Sequence, residues 1–164
     1  MPGALIRRHS IRVHVVRYDV EGWGVGELYL EGETLVFHEL PQTGAPAGKA
    51  HGHPLVERIR EYFRGGVVGF DGVELDLAWA TPFQRAVAAA LRDVPYGEIV
   101  TYGELAALAG RPNAQRAAGT FCARNRFPLV LPCHRVVAAG GLGSYGSLGR
   151  GYKRRLLELE GVAL

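Results

Sequence analysis

Two helix-start signals of the same design, twenty residues apart, constrain this chain more than any other feature. At Thr81-Pro82-Phe83-Gln84 a hydroxyl residue precedes proline at the first helical position, with glutamine three after it; Thr101-Tyr102-Gly103-Glu104 repeats the box with glutamate. The hydroxyl takes an orphan backbone N–H, the amide or carboxylate returns the bond, and proline sits where no N–H is needed. A helix is therefore expected from 82 to about 93, broken by Pro95-Tyr96-Gly97, and another from 101 through Ala109. Gly110-Arg111-Pro112-Asn113 makes a short turn, after which Ala114 to about Ala123 can form a further helix. Residues 101–124 thus have the length and punctuation of a helix-turn-helix, although many helical hairpins share them.

Charge adds direction to that motif. Residues 1–80 hold 8 Lys/Arg against 11 Asp/Glu, whereas residues 81–164 hold 11 against 5. The second half is the one that faces a polyanion. The first half reads as β-rich: Ile11, Val13 and Val15 alternate with Arg12 and His14, and the runs Val25–Leu30 and Thr34–His38 flank Glu31-Gly32-Glu33, a hairpin turn. A Gly/Pro/Ala loop, Pro41 to Pro54, leads into an amphipathic helix with apolar residues at 55, 56, 59, 62 and 63. Gly65-Gly66 ends it, and an extended stretch continues to Ala80. Beyond 124 come an apolar run, Pro128–Pro132, a Gly-rich loop, Ala139–Gly151, and a closing helix, Tyr152–Glu160. The expectation is a two-domain α+β protein divided at 80/81, a small antiparallel sheet with a helix followed by a helical DNA-binding part.

Every apolar stretch is interrupted well before the roughly 18 residues of a membrane span, and the first eight residues lack a signal-peptide core, so a cytoplasmic protein without membrane contact is expected. In that compartment Cys122 and Cys133 are free thiols. The first half contains no cysteine, so His51 and His53, on the Gly/Pro loop, are read as solvated and not as metal ligands.

Cys133 stands between Pro132 and His134, with Arg135 next. A cysteine is nucleophilic only as the thiolate, which a nearby imidazole or basic group can provide. An arbitrary cysteine is more often a small buried hydrophobe, and adjacent Cys and His point apart on a strand. On a helix or turn the imidazole can reach the sulfur through a water, so spacing alone leaves both roles open.

Pro132-Cys133-His134-Arg135-Val136-Val137 resembles the signature of the O6-alkylguanine-DNA alkyltransferases, also called methylated-DNA–protein-cysteine methyltransferases. The likeness extends in order through Pro95 to Ala106, Arg116-Ala117-Ala118-Gly119, Asn125, Pro128, Gly143-Ser144-Tyr145 and Leu156 to Gly161, which covers nearly all of 81–164. It implies a ribonuclease H-like N-terminal domain and a winged-helix-like C-terminal one. It also implies a monomer that binds double-stranded DNA containing alkylated bases, flips the lesion out from the minor groove, and takes the alkyl group irreversibly on Cys133. O6-alkylguanine is the substrate, with O4-alkylthymine a second candidate, and neither cofactor nor metal is required.

The same resemblance assigns roles. His134 deprotonates Cys133 through a water and Glu160 steadies the imidazole. Tyr102 protonates guanine N3, and Asn125 holds the cysteine turn. Arg116 fills the space the base leaves, with Ala117, Gly119, Tyr102 and Arg135 on the DNA side, while Val136, Tyr145, Ser147 and Pro128 form the pocket. The loop from Tyr145 to Lys153 is about one residue longer than the family pattern, and Cys122 stands where a larger apolar residue is usual. A lesion-sensing relative without catalysis would lack Cys133. A regulator reading the major groove would need more than Gln115 and Arg116 as base-reading side chains, and a Cys-His hydrolase would need a distant histidine and an oxyanion loop.

Overall fold

A computed structural model describes residues 12–44, 48 and 52–164 of the protein. Ile11, His51 and the first eight residues lie outside the described residues.

Three strands, β1 (Val13–Val20), β2 (Gly24–Glu31) and β3 (Thr34–Gln42), form an antiparallel sheet in the order β1-β2-β3. The β2–β3 hairpin turns at Gly32, whose φ of 59° is left-handed and so suits glycine. The face of β1 differs from the one its first apolar alternation suggests. Val13 and Val15 are exposed, at 48% and 38%, and the core is met instead by Val16, Tyr18 and Val20. Alternation marks a strand but not which face is covered, and here the strand continues five residues past Val15 to its buried end.

Helix α1 (Pro54–Phe63) lays Leu55, Val56, Ile59, Tyr62 and Phe63 into the core. His53 is its N-cap: Nδ1 accepts from the Leu55 N–H at 3.1 Å, with Nε2 3.9 Å from Glu33. The histidine expected to be solvated is thus a helix cap. The stretch from 64 to 80 is mostly irregular. It touches the sheet at one parallel bridge, where Leu35 N–H donates to Glu74 O at 2.8 Å and Asp76 N–H to Leu35 O at 2.9 Å.

Both capping boxes form as their sequences dictate, at Thr81/Gln84 and Thr101/Glu104. They open α2 (Pro82–Arg92) and α3 (Tyr102–Leu108), and α4 (Gln115–Ala123) follows the Gly110–Asn113 turn. A short parallel ladder joins β4 (Val100–Thr101) to β5 (Val136–Val137), and a 3₁₀ turn, Cys133–Arg135, leads directly into β5. The closing helix α5 (Gly149–Leu159) begins three residues earlier than its apolar pattern suggests.

One apolar core runs continuously from the sheet and α1 into α2, α3, α4 and α5. Polar ties cross the same boundary. His38 N–H donates to Arg126 O at 2.9 Å, its Nδ1–H to Pro128 O at 2.9 Å, and Tyr18 O–H to its Nε2 at 2.5 Å. The carbonyl acceptor fixes the tautomer, since only a protonated Nδ1 can serve it. Burial holds this histidine down at about 4, with the Pro128 bond opposing the shift.

Candidate active site

The segment that presents Cys133 is built by one side chain. Asn125, just past the end of α4, accepts from Phe127 N–H at 2.9 Å and donates through Nδ2 to Leu131 O at 2.8 Å and to Cys133 Sγ at 3.0 Å. Leu131 N–H closes on Phe127 O, Cys133 N–H on Leu131 O, and Leu129 sits at φ 74°, a left-handed backbone for a branched residue. The thiol is buried, with the residue only 4% exposed. Burial pushes the thiol pKa up, while the Asn125 bond, the charge of Lys153 and the Tyr145 hydroxyl pull it back.

His134 is wholly buried, and its Nε2 lies 2.6 Å from Glu160 Oε2. A carboxylate only accepts, so Nε2 carries the proton and Nδ1 keeps its lone pair. Nδ1 is buried and has no hydrogen-bond partner among the described residues. It is therefore the nitrogen left to receive a proton. Burial lowers the pKa of His134, against the raising effect of Glu160.

Glu160 collects donors from several parts of the chain. Oε1 accepts from Arg135 Nε at 2.9 Å and Gly97 N–H at 2.9 Å; Oε2 accepts from Tyr62 O–H at 2.6 Å and Arg135 Nη2 at 3.1 Å, besides His134. Burial alone would raise its pKa, but the bonds from His134, Arg135 and Tyr62 reverse this and leave it at about 2. Arg135, expected on the DNA side, is only 7% exposed: its Nη1 donates to Val94 O at 2.7 Å and its guanidinium lies over Tyr96. It is a buried counter-ion to Glu160, not the exposed side chain that a contact with DNA requires.

A cavity of about 160 Å³ opens beside the thiol, lined by Cys122, Asn125, Pro128, Tyr145, Ser147 and Leu148. Five of the expected residues, Cys133, Asn125, Tyr145, Ser147 and Pro128, thus meet in it. Val136 does not, because its side chain is wholly buried in the β4–β5 ladder. The far wall comes from β3, through Phe37, Glu39 and Gln42, which no motif in the second half could reveal. The Tyr145 hydroxyl is buried near the thiol, without a well-formed hydrogen bond among the described residues.

Tyr102 opens α3 with its ring against Gly119 of α4 and its hydroxyl toward Gly143. Burial, with the thiols of Cys122 and Cys133 nearby, pushes its pKa up to about 12, so it holds its proton at neutral pH. Lys153, whose signal in the sequence was one basic residue in a basic helix, is wholly buried, donates to Ser144 O at 3.2 Å and stands 5.7 Å from the Tyr102 ring centroid. Arg116 and Ala117 are exposed on the first turn of α4, beside a groove of about 950 Å³. Arg111, Arg124, Arg126, Trp79 and Phe83 line that groove, with no acidic residue among the described ones. A buried thiol with an aligned His–Glu pair therefore lies behind a basic helical surface.

Residues 82–162 match the family model for the 6-O-methylguanine DNA methyltransferase DNA-binding domain. A methylated-DNA–protein-cysteine methyltransferase of Methanopyrus kandleri is 43% identical over 125 residues, 75% of this chain and 92% of that protein. The chain belongs to the methylated-DNA–protein-cysteine methyltransferase family. The Mycobacterium tuberculosis methyltransferase of the same name is 44% identical over 124 residues, 75% of this chain and 70% of its own. The crystal structure of the M. tuberculosis O6-methylguanine methyltransferase superposes with a TM-score of 0.75 at 35% identity, covering 91% of this chain and 93% of that one. A second structure from that organism, in complex with DNA, gives 0.75 at 38% identity and covers 90% and 92%. In this methyltransferase fold, then, the buried thiol and the basic helix belong to one chain and one continuous core.

Proposed function

We propose that Cys133 is the alkyl acceptor of this methyltransferase, taking the group from O6-alkylguanine in duplex DNA, with O4-alkylthymine a second substrate. The observation that carries this is a buried thiol followed in sequence by a histidine whose proton is held on Nε2 by Glu160, which leaves its buried, unpartnered Nδ1 as base. The thiol proton passes to Nδ1 through a water. The thiolate then attacks the alkyl carbon in line: the C–S bond forms, the C–O6 bond breaks, and the electron pair goes to the guanine. Tyr102 supplies a proton to N3 as that charge develops. In net terms the alkyl group and the thiol proton change places, and a thioether has no route back, so each molecule acts once.

A base within a duplex cannot reach a thiol this deeply buried, so the lesion is flipped. Arg116 on the exposed turn of α4 fills the gap, with Ala117 and Gly119 allowing close approach in the minor groove. Residues 81–164 are read as a winged-helix-like catalytic and DNA-binding domain. Residues 1–80 are read as a ribonuclease H-like domain, on the strength of the three-stranded sheet and its helix. The protein acts as a monomer in the cytoplasm, where both thiols stay reduced. Among the described residues no helix is long and apolar enough to cross a membrane.

Incubation with a duplex containing O6-methylguanine should add one methyl group per protein on Cys133, seen by intact and peptide mass spectrometry. Cys133→Ser should bind DNA and gain nothing. Turnover beyond one equivalent, or methylation elsewhere, overturns the assignment.

A further inference from the structure

Of the side chains that donate to Glu160, one comes from the first half of the chain. Tyr62, on the inner face of α1, is wholly buried against Phe63, Phe70 and Tyr96. Its hydroxyl donates to Glu160 Oε2 at 2.6 Å, the oxygen paired with His134, and lies 3.4 Å from His134 Nε2. We propose that Tyr62 is a positioning residue of the alkyl-transfer reaction, whose hydroxyl sets how strongly Glu160 draws a proton onto His134. The inference rests on the reading of Cys133 as alkyl acceptor.

Packing alone does not call for that hydroxyl, since phenylalanine would fill the same aromatic nest. What the oxygen adds is a second strong donor on Oε2. A carboxylate satisfied by Tyr62 and Arg135 is a weaker partner for the imidazole than one satisfied by Arg135 alone. The groups around His134 act in both directions. Glu160, from the end of α5, raises its basicity; Arg135 beside it and Lys153 from α5 lower it, and burial lowers it most. Tyr96, after α2, meets the ring of Tyr62 and feels both Glu160 and Arg135. Within this balance the Tyr62 hydroxyl, by satisfying Glu160 Oε2, works in the same direction as burial toward a neutral His134 whose Nδ1 is free to accept the proton of Cys133.

Transfer requires neutral His134 and is lost as pH falls through the pKa of that residue. Removing the hydroxyl leaves Glu160 less satisfied, makes His134 more basic and brings the loss at higher pH. In Tyr62→Phe the acid limb of the single-turnover methyl-transfer rate should move up by about one pH unit, which is about tenfold in rate on that limb. The rate near pH 8 should change far less. Iodoacetamide labelling of Cys133 without DNA should show the same displacement. In a Glu160→Gln background, Tyr62→Phe should add no further displacement. A uniform slowing at every pH, an unchanged profile, or an equal displacement in the Glu160→Gln background each overturns the proposal. Absence of methyl transfer in the wild-type protein would instead overturn the acceptor reading, and the labelling profile would still report on Tyr62.

Discussion

Lys153 is the residue whose chemistry departs furthest from its type. An ammonium wholly removed from solvent is costly unless something nearby gains from it, and burial duly lowers its pKa while the thiols of Cys133 and Cys122 raise it. The gain is reciprocal, because the same charge lowers the pKa of the Cys133 thiol. Lys153→Met keeps the length of the side chain and removes the charge, so the thiol pKa rises and the thiolate fraction at neutral pH falls. The alkylation rate at neutral pH should fall about tenfold for every pH unit by which the thiol's titration moves up. The rate should recover as the buffer is taken to higher pH, a recovery that a merely misfolded variant would not show.

Among the elements, the helices of the second half were legible because their signals are local. Thr81 and Gln84, or Thr101 and Glu104, make each other's bonds within one turn, so their sequence is their structure. The site was legible only where residues stand close together or carry a family pattern. The burial of Arg135 depends on Glu160, 25 residues away, and the Tyr62 contact spans 98 residues; neither leaves a local trace. The face of β1 was hidden for a related reason, since what covers Val16, Tyr18 and Val20 is tertiary. The Gly-rich loop before α5 shows what its glycine is for. At Gly143, φ is +81°, and a Cβ there would stand 3.2 Å from the Tyr102 hydroxyl and 3.3 Å from both Lys153 Nζ and Ala138 N. Gly143→Ala should cost about 1–2 kcal/mol from the backbone alone in denaturant unfolding. It should also slow methyl transfer beyond what that loss explains, because the neighbours that must yield are Tyr102 and Lys153.

For the whole molecule, three buried groups link stability to acid: His38, His134 and Glu160. His38 sits at about 4 when folded against an ordinary 6.5, so both states are neutral above 6.5 and carry no difference. As pH falls from 6.5 to 4 the unfolded chain takes a proton that the folded one refuses, and stability drops by about 3 kcal/mol. Glu160, held at about 2 against 4.5, contributes stability that is complete above 4.5 and is lost between there and 2. Denaturant titrations from pH 7 to pH 4 should therefore show a decline that His38→Leu makes shallower, whatever that variant does to stability at pH 7, with His134 supplying part of what remains. An undiminished slope in His38→Leu would place the acid sensitivity elsewhere.

The convergence on Glu160 also bears on timing. Its donors come from residues 62, 97, 134 and 135, and the carboxylate itself is the last of them to be synthesised. Until translation reaches position 160 and the two halves close on each other, His134 lacks the acceptor that orients its tautomer, and Cys133 is an ordinary thiol in an unfinished polypeptide. For a protein that can react only once, the histidine-assisted route to the thiolate thus appears only with the completed fold.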